Sequence, residues 1–124
     1  MARFVNLRPQ DLPNQVPSIE LVDSQGRWRT IGSRGTVRSA SGRYIYVQLE
    51  RRIFVARVNR GIGHIDLSLG RPVVYAGEIG FGGRKKRGAL RWWNNNSGHY
   101  RPDAFAAAAA LLPPDLFRER TASP

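Results

Sequence analysis

Cysteine is absent from the chain. That excludes disulfides, thiolate metal sites and cysteine nucleophiles together. It also excludes zinc deaminase chemistry, which needs a Cys-x-x-Cys pair. Long apolar runs are missing too. The alanine-rich stretch 104–112 has only nine residues, against the ~20 needed to span a bilayer, so no membrane partner is expected. The opening residues, Met1 to Leu7, lack the apolar core of a signal peptide, and none is expected in this chain. Acids number nine and histidines two, His64 and His99. A two-metal nuclease usually clusters its carboxylates, so these scattered groups argue against one and no metal is expected. No Gly-x-x-x-x-Gly-Lys-Ser/Thr phosphate loop occurs, and Gly80-Phe81-Gly82-Gly83 has no helix after it.

What is plentiful is positive charge. Lys and Arg total 20, for a net charge of +11. Residues 41–102 carry twelve of them against three acids, while residues 103–124 carry two against three. The excess therefore lies in the middle of the chain. Eighteen of the twenty are arginine, the planar donor that grips phosphate in a bidentate fork. A basic footprint of this kind points to RNA or another polyanion as partner.

At 124 residues the chain reads as one domain with its own core. Prolines 9, 13 and 17 make residues 1–25 an extended arm or linker, or equally an edge strand lying along the domain through the apolar Ile19, Leu21 and Val22. Residues 26–118 form the catalytic or binding domain, and 119–124 a tail. Within the domain, period-2 alternation and β-branched or aromatic residues predict strands at Arg27–Ile31, Arg43–Leu49, Ile53–Val58, Pro72–Phe81 and Ala89–Asn94. Thr36–Arg38 can pair back. His64–Gly70 is either a short helical turn or a loop. Asp103 is a good N-cap before five consecutive alanines and Pro113-Pro114 is a stop, which predicts a C-terminal helix. The fold class expected is α+β: a curved, mainly antiparallel sheet of five to seven strands with one C-terminal helix.

Chemistry concentrates in residues 61–102. Both histidines follow a glycine there, in loops of the kind that carry function. Imidazole can take and give a proton near neutrality. Metal-independent RNA cleavage needs a base for the 2′-hydroxyl, an acid for the leaving oxygen and cations for the phosphorane. His64, His99 and Glu78 are the acid–base candidates, with Tyr100 assisting. Arg71, Arg84, Lys85, Lys86, Arg87, Arg91 and Arg101 are the candidate phosphate contacts. Each has a plainer reading: a hydrogen-bonded structural histidine, a solvated carboxylate, an exposed basic hairpin tip. Asp66 either orients an imidazole or caps the following turn. Trp92 and Trp93 are adjacent on a strand, so one should be core and the other exposed, where it would suit base stacking or protein contact.

Ala76-Gly77-Glu78-Ile79 and Ser97-Gly98-His99-Tyr100-Arg101-Pro102, set in hairpins before a helix, resemble the C-terminal toxin domains of bacterial polymorphic toxins of the Rhs and contact-dependent type. The hexapeptide is also similar to a segment of plant IQ-motif calmodulin-binding proteins. The likeness covers roughly residues 43–112. It implies an effector domain delivered from the producing bacterium into the cytoplasm of a target cell, with a cognate immunity protein as partner. The leading expectation is a metal-independent ribonuclease without a cofactor. The alternative is an ADP-ribosyltransferase toxin, with His64 and Tyr100 holding NAD and Glu78 activating it. The order His, Glu, Tyr along this chain, in place of the usual His, Tyr, Glu, counts against that. A non-enzymatic nucleic-acid- or protein-binding module is the third reading.

Overall fold

The structure, a computed structural model, describes residues 3–58 and 60–119. Seven strands form one sheet: β1 (Glu20–Ser24), β2 (Arg27–Ile31), β3 (Val37–Ser39), β4 (Gly42–Leu49), β5 (Arg52–Arg57), β6 (Tyr75–Phe81) and β7 (Leu90–Trp93). Their order across the sheet is β3-β2-β1-β5-β4-β6-β7, and every paired neighbour is antiparallel. One short α-helix, α1 (His64–Ser68), connects β5 to β6. The fold is a mixed α+β one, built on an antiparallel sheet.

The predicted hairpin of β4 and β5 is present, in register from Tyr44↔Arg57 to Leu49↔Arg52. Residues 44–48 of β4 are all buried, because both faces of the strand are covered and alternation gives way to a continuous apolar run. On one face Tyr44, Tyr46, Ile53, Val55, Tyr75, Ile79 and Trp93 pack together, and Ala106, Ala107, Leu112 and Phe117 of the C-terminal segment close over them. On the other face Ile45, Val47, Ala56 and Ala76 meet Ile65 and Leu67 of α1, with Tyr100 beside them. Trp93 is fully buried on the first face, and Trp92 is half-buried. Gly80 makes room for the Trp92 indole, which would lie 2.4 Å from a Cβ there.

The segment expected as an arm over 1–25 does not end outside the sheet. Its residues 20–24 are β1, which lies between β2 and β5. Ahead of that, Phe4 forms an antiparallel bridge with Val73. The expected tail, 119–124, lies outside the described residues except for Glu119.

The C-terminal helix is a correction. Asp103 caps as expected, its Oδ1 accepting from Ala106 N at 2.9 Å, but Ala104–Ala109 winds as a 3-10 helix and not an α-helix. Both ends of the segment are tied to the sheet. The Asp103 carbonyl accepts from the Tyr75 hydroxyl at 2.8 Å, and Leu111 N donates to Gln48 Oε1 at 2.8 Å. A 3-10 helix rises ~2.0 Å per residue against ~1.5 Å, so the same residues stretch further between fixed points. Tertiary anchoring overrides the alanine propensity.

Where β7 ends, its chain crosses hard against β6. A Cβ on Gly77 would sit 2.0 Å from the Asn94 carbonyl oxygen. Gly77→Ala should therefore force the two strands apart and cost about 3 kcal/mol or more. Gly83→Ala, with nothing within 4 Å of its added methyl, should change stability by under about 0.5 kcal/mol. Urea midpoints of the two variants check this, and equal midpoints would refute it.

Candidate active site

The face of the sheet that carries α1 also carries the candidate chemistry. Ala76 points to that face, and so by alternation does Glu78. Ile45 lies opposite Glu78 on β4, which places Arg43 one diagonal step away on the same face. α1 lays its first residue, His64, against the next turn of β6. The cause is local: Asp66 Oδ2 accepts from Gly63 N at 2.8 Å and satisfies an amide at the helix start. Of the two readings of Asp66, the structure shows the cap. Its other oxygen accepts from Asn14 N at 2.7 Å and ties the N-terminal segment to the helix.

His64 is buried, at 8% exposure, with Nε2 2.8 Å from the Gly77 carbonyl oxygen. A carbonyl only accepts, so Nε2 carries the hydrogen and the neutral ring has its lone pair on Nδ1. Burial pushes the His64 pKa below its ordinary 6.5. The Gly77 bond and the Glu78 charge oppose that shift, and His99 adds to it. The three sequence candidates His64, Glu78 and His99 therefore lie within electrostatic reach of one another through His64.

Glu78 is held by residues that the sequence reading passed over. Oε1 accepts from Asn96 Nδ2 at 3.1 Å and Asn94 Nδ2 at 3.3 Å, while Oε2 is 3.4 Å from an Arg43 guanidinium nitrogen. Burial alone would raise the carboxyl pKa. The two amides and Arg43 outweigh it and leave the pKa below its ordinary 4.5. Glu78 is thus a fixed negative charge at neutral pH. A signal for this was present: Asn94 and Asn96 alternate directly after a strand and so share one side, but the asparagine run reads as turn chemistry.

His99 stands on the loop that closes with Arg101 N donating to Ser97 O at 2.7 Å. Its Nε2 is 3.0 Å from Asp11 Oδ2, and its carbonyl accepts from Leu7 N at 2.7 Å. The carboxylate partner fixes the tautomer in the same sense as for His64, leaving Nδ1 free of this pairing. Asp11 comes from 88 residues away, and no local pattern announces it.

The remaining candidates separate. Tyr100 is 1% exposed. Its hydroxyl donates to the Arg71 carbonyl at 2.7 Å and lies 2.6 Å from Ser68 Oγ, so Ser68 is the donor in the second bond. Tyr100 is a post between the hexapeptide and the end of α1. Arg71 is exposed there and turns Nε onto Ser68 O at 2.9 Å. Arg84, Lys85 and Lys86 form an exposed 3-10 turn, with Arg87 exposed after it. Arg91 is exposed on β7, and Arg101 is exposed with φ of +44°. A groove of about 380 Å³ opens between residues 15–19 and α1, with Asp66 and Arg71 on its wall, and it includes none of His64, Glu78 and His99. Among the described residues no group of three or more His, Asp or Glu side chains could hold a metal ion. No protein-family model, curated protein or solved structure matches the chain.

The two shifted groups make stability pH-dependent in separable windows. On lowering the pH, unfolded chains protonate at His64 near 6.5 while folded ones resist until a lower value, so stability falls through that interval. Glu78 adds a second loss that begins near 4.5. Between about pH 7 and about pH 5, His64→Gln should lose less stability in urea than the parent chain. Parallel curves for the two proteins would contradict the lowered His64 pKa.

Proposed function

We propose that the domain is a toxin effector that cleaves RNA without a metal, using His64, Glu78 and His99. The observation that carries this reading is that the buried His64 imidazole feels the charges of both the ionised Glu78 carboxylate and His99, in a chain with net charge +11. His64, neutral with its lone pair on Nδ1, takes the proton of a 2′-hydroxyl. The freed oxygen attacks the adjacent phosphorus. The 5′-oxygen leaves with a proton from Nδ1 of a doubly protonated His99, whose Nε2–H stays on Asp11, giving a 2′,3′-cyclic phosphate and a 5′-hydroxyl. Glu78 favours the imidazolium that forms on His64, since its charge raises that ring's pKa. Arg43, which pairs with Glu78, and the exposed Arg101, two residues after His99, would neutralise the phosphorane. Tyr100 is left out of the chemistry, because both of its hydroxyl bonds are structural.

The reading also takes the sheet as curved. Trp28 of β2 and Phe81 of β6 bring their rings to 6.4 Å although three strands lie between them. In a flat sheet, strands that far apart are separated by about 19 Å. The toxin assignment, delivery into a target cell and an immunity partner rest on the resemblance of the Ser97–Pro102 hexapeptide. The ADP-ribosyltransferase alternative draws no support from the geometry, because Tyr100 is buried away from any NAD it would hold.

Purified protein incubated with total RNA in EDTA should release fragments ending in 2′,3′-cyclic phosphate. His64→Gln and His99→Gln should each slow cleavage by about 100-fold or more. Tyr100→Phe should cost stability while leaving the rate within about threefold, since a hydroxyl that bonds only protein groups contributes to folding. RNA that stays intact at high protein concentration would sink the proposal, as would full activity in both histidine variants.

A further inference from the structure

The opposite face of the sheet holds a second concentration of positive charge. Three segments distant in sequence build it. On β3, Arg38 pairs across to Thr30 of β2. At the end of β5, Arg57 pairs across to Tyr44 of β4. Tyr44 belongs to the core face that the C-terminal segment covers, so these side chains are turned away from α1. The third arginine, Arg87, arrives on the turn before β7. Gly88 docks that turn on the β2–β3 hairpin, accepting from Trp28 N at 2.9 Å and donating to Ala40 O at 2.6 Å.

Together these residues line an open cleft of about 580 Å³. Its walls carry Arg38, Arg57 and Arg87, the hydroxyls of Ser39 and Ser41, and no acidic residue. Arg57 is preset. Its guanidinium lies 4.3 Å from the centre of the Tyr44 ring and donates to the Ser41 carbonyl and to Ser41 Oγ. Gly42 permits this, since a Cβ there would come within 2.9 Å of the guanidinium. Three guanidinium groups without a balancing carboxylate repel one another, and an anion between them removes that repulsion. The donors are planar forks and hydroxyls, which suit phosphate oxygens.

We infer that this cleft binds the phosphodiester backbone of single-stranded RNA, on the face opposite His64 and Glu78. The inference goes beyond the cleavage reading and does not need it. It adds Arg38 and Arg57 to the phosphate contacts and separates Arg87 from its neighbours Arg84, Lys85 and Lys86. The strand would be gripped by its backbone and not by its bases, so sequence preference from this cleft is weak.

Binding is measured by anisotropy of an end-labelled single-stranded RNA twelve nucleotides long, in EDTA and in the His64→Gln/His99→Gln background so that nothing is cut. Arg38→Ala/Arg87→Ala removes two exposed charges and should weaken binding at least tenfold at low salt. The slope of log affinity against log salt should fall by about 1.4, or ~0.7 per lost phosphate contact on a single strand. The charge-matched control Arg51→Ala/Arg118→Ala changes the β4–β5 turn and the C-terminal segment, and should stay within twofold. An equal loss in the control would mean net charge and no site. Unchanged binding in Arg38→Ala/Arg87→Ala would also overturn the cleft. So would displacement of the RNA by micromolar uridine monophosphate, which would mark a nucleotide pocket. Because binding alone is read, a chain that binds through the cleft but never cuts would sink the ribonuclease reading and leave this one standing.

Discussion

Asn94 is the junction on which the rest of the arrangement depends. Its amide donates to the Glu78 carbonyl at 2.9 Å, and its side-chain oxygen accepts from Glu78 N at 2.8 Å. That same oxygen accepts from Asn96 N, and its side-chain nitrogen reaches the Glu78 carboxylate. Its carbonyl accepts from the buried Tyr46 hydroxyl at 2.7 Å. One residue thus joins the core on one face of the sheet to the carboxylate on the other. Such a joint needs main chain against main chain, which is why Gly77 has no room for a side chain. The carbonyl of that glycine fixes the tautomer of His64. Packing and acid–base character are here settled by one close approach.

The two faces of the sheet are used differently. α1 and the N-terminal segment cover one, and they bring in His64 and the Asp11 partner of His99. The C-terminal segment covers part of the other and leaves the arginine cleft at its margin. β4 serves both, since Arg43 faces Glu78 while Tyr44 carries Arg57. Alternation along a single strand divides a carboxylate-bearing site from an all-cationic one.

The parts of this organisation legible in the sequence were those set by local pattern. β4 and β5 announced themselves by aromatic and β-branched residues. Alternation put one of Trp92 and Trp93 in the core, and it is Trp93, while Trp92, in the place expected to be exposed, is half-buried over Gly80. What stayed hidden depended on partners far along the chain. Asp11 could not be matched to His99 by spacing, nor Arg38 and Arg57 to Arg87. Tyr100, inside the most distinctive hexapeptide, looked chemical and is a structural post. The alanine run had every local mark of an α-helix, but it winds as a 3-10 helix between anchors at Tyr75 and Gln48 that no local pattern shows.

The N-terminal segment is fastened by the Phe4–Val73 bridge, Leu7 and Asp11 on His99, Asn14 on Asp66, the Arg3–Glu50 ion pair and the packing of Phe4 and Val16 on the core. Contacts so far apart in sequence form after the hairpins, because their loop-closure entropy is the largest. The same segment is held to the core mainly by Phe4 and Val16, with most of its other side chains exposed, the pattern of a region that opens locally more easily than the sheet. The order of assembly therefore differs for the two imidazoles. His64 acquires its setting with the core, from a partner 13 residues away, while His99 depends on a carboxylate 88 residues away on a separate segment.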